Sequence, residues 1–114
     1  MKLQDLRRIL ETEKELTKSE IKKLRERLLS LPDTENTRYS NHLADMAILD
    51  QERNNIVSLI NKAVEKLAQV EDALKSIDNG TYGICVLCGN EISNERLEVI
   101  PYTRICSYCA KNIS

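Results

Sequence analysis

The stretch Gly80-Thr81-Tyr82-Gly83-Ile84-Cys85-Val86-Leu87-Cys88-Gly89, answered by Cys106-Ser107-Tyr108-Cys109, decides what kind of chain this is. It holds all four cysteines of the 114 residues, as two Cys-x-x-Cys pairs with seventeen residues between them. Two residues between thiolates let both sulfurs of a pair turn inward around one knuckle. Two such knuckles supply the four soft ligands that tetrahedral zinc prefers. Gly83 and Gly89 flank the first pair, where a tight turn needs a residue tolerant of positive φ. Cys85, Cys88, Cys106 and Cys109 are therefore the expected ligands of one zinc ion. Four protein thiolates leave no position open for water, so the ion is read as structural and not catalytic. Two disulfides would suit an oxidising compartment, but Met1 to Leu16 is charged and lacks the apolar core of a secretory signal. A thioredoxin-like redox site would need a strand and a helix around one pair, and would leave the second pair a coincidence.

Composition bounds the rest. A chain this short is one domain, or one small module with an extension. Four Tyr and no Phe or Trp make a large compact core improbable. Leu, Ile, Val and Ala must supply the apolar contacts, which suits helices packed along narrow seams. The cysteine-bearing part cannot fold on apolar burial alone, so the metal replaces the missing core. No run approaches a membrane span, and the chain reads as soluble and cytoplasmic. Net charge is −1 but unevenly spread. Residues 1–31 carry nine basic and six acidic side chains, and residues 32–52 carry Arg38 against Asp33, Glu35, Asp45, Asp50 and Glu52. The segment from Gly80 onward is balanced, with three of each sign, which counts against a DNA-binding finger.

Met46, Leu49, Arg53, Ile56, Ile60, Ala63, Leu67, Val70, Leu74 and Ile77 follow one another in alternating steps of three and four. That is a heptad seam of the kind that packs helix on helix, interrupted only by Arg53, which is read as snorkelling from a narrow interface. Asp78-Asn79-Gly80 supplies the stop. An earlier series, Leu3, Leu6, Leu10, Ile21, Leu24, Leu28 and Leu31, keeps one face across an eleven-residue step. Thr17-Lys18-Ser19-Glu20 offers a capping box that would split this helix, but the continuous face favours one helix ended by Pro32. The expected fold is mainly α: an antiparallel two-helix coiled-coil hairpin over 1–79, with arms at about 2–31 and 42–78 and a tip at 32–41. A small four-cysteine zinc-finger module with a short C-terminal helix follows over 80–114. At 1.5 Å per residue the second arm is about 55 Å long. The short break at Pro32 favours pairing within the chain over a dimerising coiled coil, so a monomer is expected.

The zinc stretch, with Ile92, Arg96-Leu97-Glu98 and Pro101 between its two cysteine pairs, resembles the zinc-finger signature of the DksA/TraR family. Leu6-Arg7-Arg8-Ile9-Leu10-Glu11 is similar to the start of that family's first coiled-coil helix, and Asp45-Met46-Ala47 to part of its tip motif. The resemblance implies a bacterial transcription regulator that binds RNA polymerase and not promoter DNA. It would insert its hairpin into the secondary channel, with the tip near the active site. Asp45, Ala47, His42 and Asp50 are the expected tip residues, and the acidic patch around them suits a basic or metal-bearing surface. An ordinary first-turn carboxylate at the helix dipole is the competing reading of Asp45.

The chain departs from the family pattern in places. The familiar tip is Asp-x-x-Asp-x-Ala, and His42 stands where its first Asp would be, while Asp45 and Ala47 match the other two. Ile100 precedes the signature proline and Ala110 follows the last cysteine, where the family's alarmone response draws on basic residues. Weak or absent ppGpp dependence is therefore expected. Arg96 and Arg104 are candidates to donate to cysteine sulfurs. Tyr82, Tyr102 and Tyr108 are candidates to cover the zinc module. The alternative function is a zinc-stabilised coiled-coil interaction protein with a partner other than RNA polymerase. A nucleic-acid-binding ribbon lacks a basic stripe, and an enzyme lacks an open metal site or a phosphate-binding glycine loop.

Overall fold

Two long helices, α1 (Leu3–Ser30) and α2 (Leu43–Asn79), precede two short ones, α3 (Asn94–Val99) and α4 (Ser107–Asn112). The computed structural model describes residues 3–32 and 43–112, with the backbone alone over 43–46. The expected tip segment beyond Pro32 lies outside the described residues, as does His42.

α1 and α2 pack along their length. The face that α1 buries carries Leu6, Leu10, Thr17 and Ile21. Thr17 sits one heptad after Leu10 and four residues before Ile21, so it fills the eleven-residue gap in the apolar series with a side chain only 1% exposed. The helix runs through Thr17–Glu20 without a break, and the capping box there is not used. On α2 the buried residues are Ile56, Ala63, Val70 and Ile77, each seven apart, with Ala73 and Ser76 beside them. Ile60, Leu67 and Leu74, the alternate seam positions, are only half-buried. The contact is thus centred on one line of α2 and leaves the neighbouring line partly open.

Ion pairs mark the register. Arg27 meets Glu52 at 2.8 Å, Glu13 meets Lys66 at 3.0 Å, and Arg7 meets Asp78 at 2.7 Å. These groups are substantially exposed, so each pair contributes at most about 1 kcal/mol and serves alignment more than stability. Arg53 does not simply extend into water: its Nη2 donates to the Pro32 carbonyl at 3.0 Å.

An apolar cluster lies where the hairpin meets the cysteine-bearing module. Leu6, Leu10, Val70, Ala73 and Ile77 are its buried members, and Leu74, Tyr82 and Tyr102 pack against it. α2 stops by a Schellman arrangement. Thr81 N–H donates to the Ser76 carbonyl at 2.9 Å and Gly80 N–H to the Ile77 carbonyl at 3.3 Å. Gly80 takes φ +75° between them, a conformation a side chain disfavours. The described molecule measures 59 × 30 × 20 Å, its long axis close to the about 55 Å length of α2. Among the described residues no helix is long and apolar enough to cross a membrane.

Candidate metal centre

The chain after α2 folds back on itself in a two-sided clasp. Cys85 N–H donates to the Asn90 carbonyl at 2.8 Å and Ile92 N–H to the Gly83 carbonyl at 2.7 Å. Ile84 pairs with Glu91 in a single antiparallel bridge. Within that clasp Gly89 N–H donates to the Cys85 carbonyl at 3.0 Å, which closes the first knuckle. Gly83 (φ +85°) and Gly89 (φ +77°) bracket it in the left-handed region, as the spacing predicts.

The second knuckle is a helix start. Cys106 stands at the N-cap of α4, its carbonyl accepting from Ala110 N–H at 2.9 Å. Its sulfur accepts from Cys109 N–H at 3.5 Å, in the place an N-cap hydroxyl would occupy. A backbone bond from Val86 N–H to the Arg104 carbonyl, 2.9 Å, ties the two knuckles together.

All four sulfurs lie within 4.8 Å of one another. Cys85 and Cys109 Sγ are 3.7 Å apart, as are those of Cys88 and Cys106. A tetrahedron of sulfurs about 2.3 Å from a central zinc has edges of about 3.8 Å, so the cysteines fit that ion. The chain carries one structural zinc site made of four cysteine ligands. Bound zinc supplies a cross-link between the knuckles, and four thiolates around it leave no open position for chemistry.

The thiols are unequal before any metal is considered. Burial raises Cys85, but backbone hydrogen bonds at Cys106, Cys88 and Leu87 outweigh it and bring the thiol down to about 6. The Cys109 backbone N–H lowers Cys106. Burial, followed by hydrogen bonds to Cys106, Cys85 and Cys88, pushes Cys109 up to about 12. Crowded sulfurs cannot all be charged without a counter-ion, and a divalent cation at their centre is what removes the conflict.

Between the knuckles the chain makes α3, an element not read from the sequence. Ser93 caps it, its hydroxyl oxygen accepting from Arg96 N–H at 3.2 Å. The signal was a serine placed three residues before the bonded amide, but six residues are too few for periodicity to show. Arg96 does not reach a sulfur: its Nε donates to the Ile105 carbonyl at 2.9 Å, steadying the residue before Cys106. The Arg104 backbone joins the knuckles, while its Nη1 is buried without a hydrogen-bond partner. Tyr82 donates its hydroxyl to the Pro101 carbonyl at 2.8 Å, and Tyr102 lies under Lys66, whose Nζ is 5.6 Å from the ring centroid. Tyr108, expected to cover the module, is instead 75% exposed.

Asp45 falls in the first turn of α2, at the end of the helix remote from the cysteines by about 50 Å. Ala47 and Asp50 are exposed on the same helix, and Asp50 lies 3.8 Å from Arg53. The metal ligands converge; of the tip candidates, Asp45, Ala47 and Asp50 lie near the start of α2.

Residues 80–111 match the prokaryotic dksA/traR C4-type zinc-finger family. The uncharacterized protein YteA of Bacillus subtilis (strain 168) is 41% identical over 76 residues, which cover 66% of this chain and 32% of YteA. The chain spans 32% to 40% of the length of the curated relatives it matches. Transcription factor DksA2 from Pseudomonas aeruginosa shares the fold with a TM-score of 0.77 at 21% identity, over 96% of this chain and 81% of DksA2. The DnaK suppressor protein from Agrobacterium tumefaciens C58 superposes with a TM-score of 0.64 at 25% identity, over 99% of this chain and 95% of that protein. The finger at residues 80–111 thus matches the dksA/traR C4-type zinc-finger family, and the hairpin that carries it has the fold of DksA2.

Proposed function

We propose that this chain is a transcription regulator that binds RNA polymerase through the enzyme's secondary channel, its hairpin entering and the start of α2 coming near the active site. The observation that carries the reading is a helical prong, in a molecule 59 Å long, standing on a metal-clamped base in the fold of transcription factor DksA2. A shape so long and narrow suits entry into a channel better than contact with a flat surface. Asp45 and Asp50 supply negative charge at the advancing end, with Ala47 between them and His42 three residues before Asp45 in the sequence. Such an end is attracted to basic or metal-bearing groups, and the attraction weakens with salt. The chain's own part in this is positioning, with no covalent step.

The test is competition between the purified protein and a known secondary-channel occupant for core RNA polymerase. Mutual displacement is expected. Binding that leaves the occupant in place, or no binding at all, rejects the reading and leaves the hairpin with another partner.

A further inference from the structure

Asn79 is followed by Gly80, and it is the only one of the nine asparagines followed by glycine. Asparagine is a thermolabile residue, because its side-chain carbonyl carbon lies within reach of the next backbone nitrogen. Glycine leaves that nitrogen unshielded, since no Cβ obstructs the approach. Both residues are exposed.

The pair sits at the joint between hairpin and finger. Asn79 is the last residue of α2, and Gly80 turns the chain out of it at φ +75°. The helical turn at Asn79 directs the Gly80 nitrogen away from the Asn79 side chain. The Gly80 N–H is also engaged, donating to the Ile77 carbonyl, but at 3.3 Å that bond is long. The firmer half of the cap is Thr81 N–H on the Ser76 carbonyl at 2.9 Å. Whatever fixes Thr81 therefore keeps Asn79 helical.

What fixes Thr81 is the finger. Its carbonyl accepts from Ile84 N–H at 3.3 Å, next to Cys85. Tyr82, the residue after it, donates its hydroxyl to the Pro101 carbonyl at 2.8 Å. A module held by metal and not by an apolar core keeps such bonds only while the metal is bound. When it opens, the last turn of α2 loses its cap and frays.

We propose that Asn79-Gly80 is a self-modifying site that zinc guards: inert while the finger is closed, and deamidated once the metal is lost. The Gly80 nitrogen bonds to Asn79 Cγ, and the bond from Cγ to the side-chain nitrogen breaks. That nitrogen leaves as ammonia, taking the Gly80 proton. Water then opens the cyclic imide at either carbonyl, giving aspartate or isoaspartate, with nothing oxidised or reduced. Isoaspartate routes the main chain through its side-chain carbon, so the cap between Ser76 and Thr81 no longer closes in register. Either product adds a negative charge beside Asp78 at the helix end that disfavours it. A passing loss of zinc is thereby written into the covalent chain. The site does not rest on RNA polymerase binding.

The test incubates the full chain, zinc-loaded or stripped by a chelator under reducing conditions, in heavy-oxygen water at mildly alkaline pH. Peptide mapping by mass spectrometry follows each asparagine. In the stripped chain, conversion with uptake of heavy oxygen is expected at Asn79 ahead of the other eight. The zinc-loaded chain should convert about tenfold more slowly or less, as a closed local unit does. Gly80→Ala should suppress conversion in the stripped chain, where the finger is already open and strain at φ has no fold to disturb. Zinc restored to the converted chain should leave Thr81 N–H exchanging faster than in fresh protein. Conversion at Asn79 no faster than at the other asparagines of the stripped chain overturns the site. Equal rates with and without zinc overturn the guard, and unchanged Thr81 exchange overturns the lasting record.

Discussion

Arg53, the single polar residue in the α2 seam, donates from Nη2 to the carbonyl of Pro32 at 3.0 Å. Pro32 lies just past the end of α1, so the bond fastens the exit of one helix to the side of the other. The charge that interrupts the apolar series therefore holds the upper hairpin closed. Arg53→Met keeps much of the aliphatic packing and removes the donor. A loss of about 0.5–1.5 kcal/mol is expected, read from urea unfolding. Faster amide exchange at Leu28 to Leu31, with the base unchanged, would locate the effect; uniform exchange would contradict it.

Leu10 and Val70 are fully buried at the opposite end, in the cluster that joins the hairpin to the finger. Leu10→Ala should cost about 2–5 kcal/mol, the loss of transfer energy plus a cavity. Leu29→Ala, at a position 85% exposed, should cost little. Thermal unfolding of the two variants checks the contrast, and equal losses would place the core elsewhere.

How much of this was legible in the letters depends on what each residue does. The cysteine spacing and the heptad steps of α2 are long-range patterns, and they survive folding because ligand geometry and helix period impose them. Thr17 was not legible as core: a hydroxyl residue carries no apolar signal, yet its β-branched methyl fills the gap between Leu10 and Ile21. Ala73 and Ser76 are buried for a related reason, since small side chains let the finger approach α2 closely. Tyr108 failed in the other direction, an aromatic ring left in water by the turn of α4. Arg96 was placed near the right knuckle but on the wrong atom, because a sequence does not reveal which acceptor a long side chain reaches.

Cys106→Ser separates the metal from the helix cap. A serine hydroxyl can still accept the Cys109 N–H that the sulfur now accepts, so α4 keeps its start while the site loses a thiolate. One zinc per wild-type chain and clearly substoichiometric zinc in the variant are expected by elemental analysis. The helical signal should persist, since α1 and α2 have 28 and 37 residues against 6 in each finger helix. Tyr82 and Tyr102 should become more accessible to quencher. Full zinc retention would mean that Cys106 is not a ligand.

Lys66 bridges three elements, with Glu13 of α1 at 3.0 Å and the Tyr102 ring below it. Its hydrogen bond to Glu13 raises its pKa above the ordinary 10.5. A raised pKa in the folded state means stabilisation that is complete below the unfolded value and is lost as pH rises through the folded one. The difference in melting temperature between wild type and Glu13→Gln should therefore be constant through neutral pH and shrink above about pH 10.5. A difference that stays constant into strong alkali would show that the pair contributes nothing through charge.

Variants of Asp45 test whether channel entry, as proposed, is separable from an effect on transcription. It occupies the first turn of α2, where a carboxylate also favours the helix dipole, so its removal has a structural effect to be discounted. Asp45→Asn keeps hydrogen-bonding capacity at the helix start and removes the charge, while Asp45→Ala removes both. If the carboxylate acts on polymerase, both variants should retain affinity for core enzyme in the competition assay and lose the effect on transcription to the same degree. If it serves only the helix, Asn should behave as wild type and Ala should lower the melting temperature by an amount matching about 0.5–1 kcal/mol, with transcription following stability. Asp50→Ala is the control: its charge is half-answered by Arg53 at 3.8 Å, and its removal should move transcription less than either Asp45 variant.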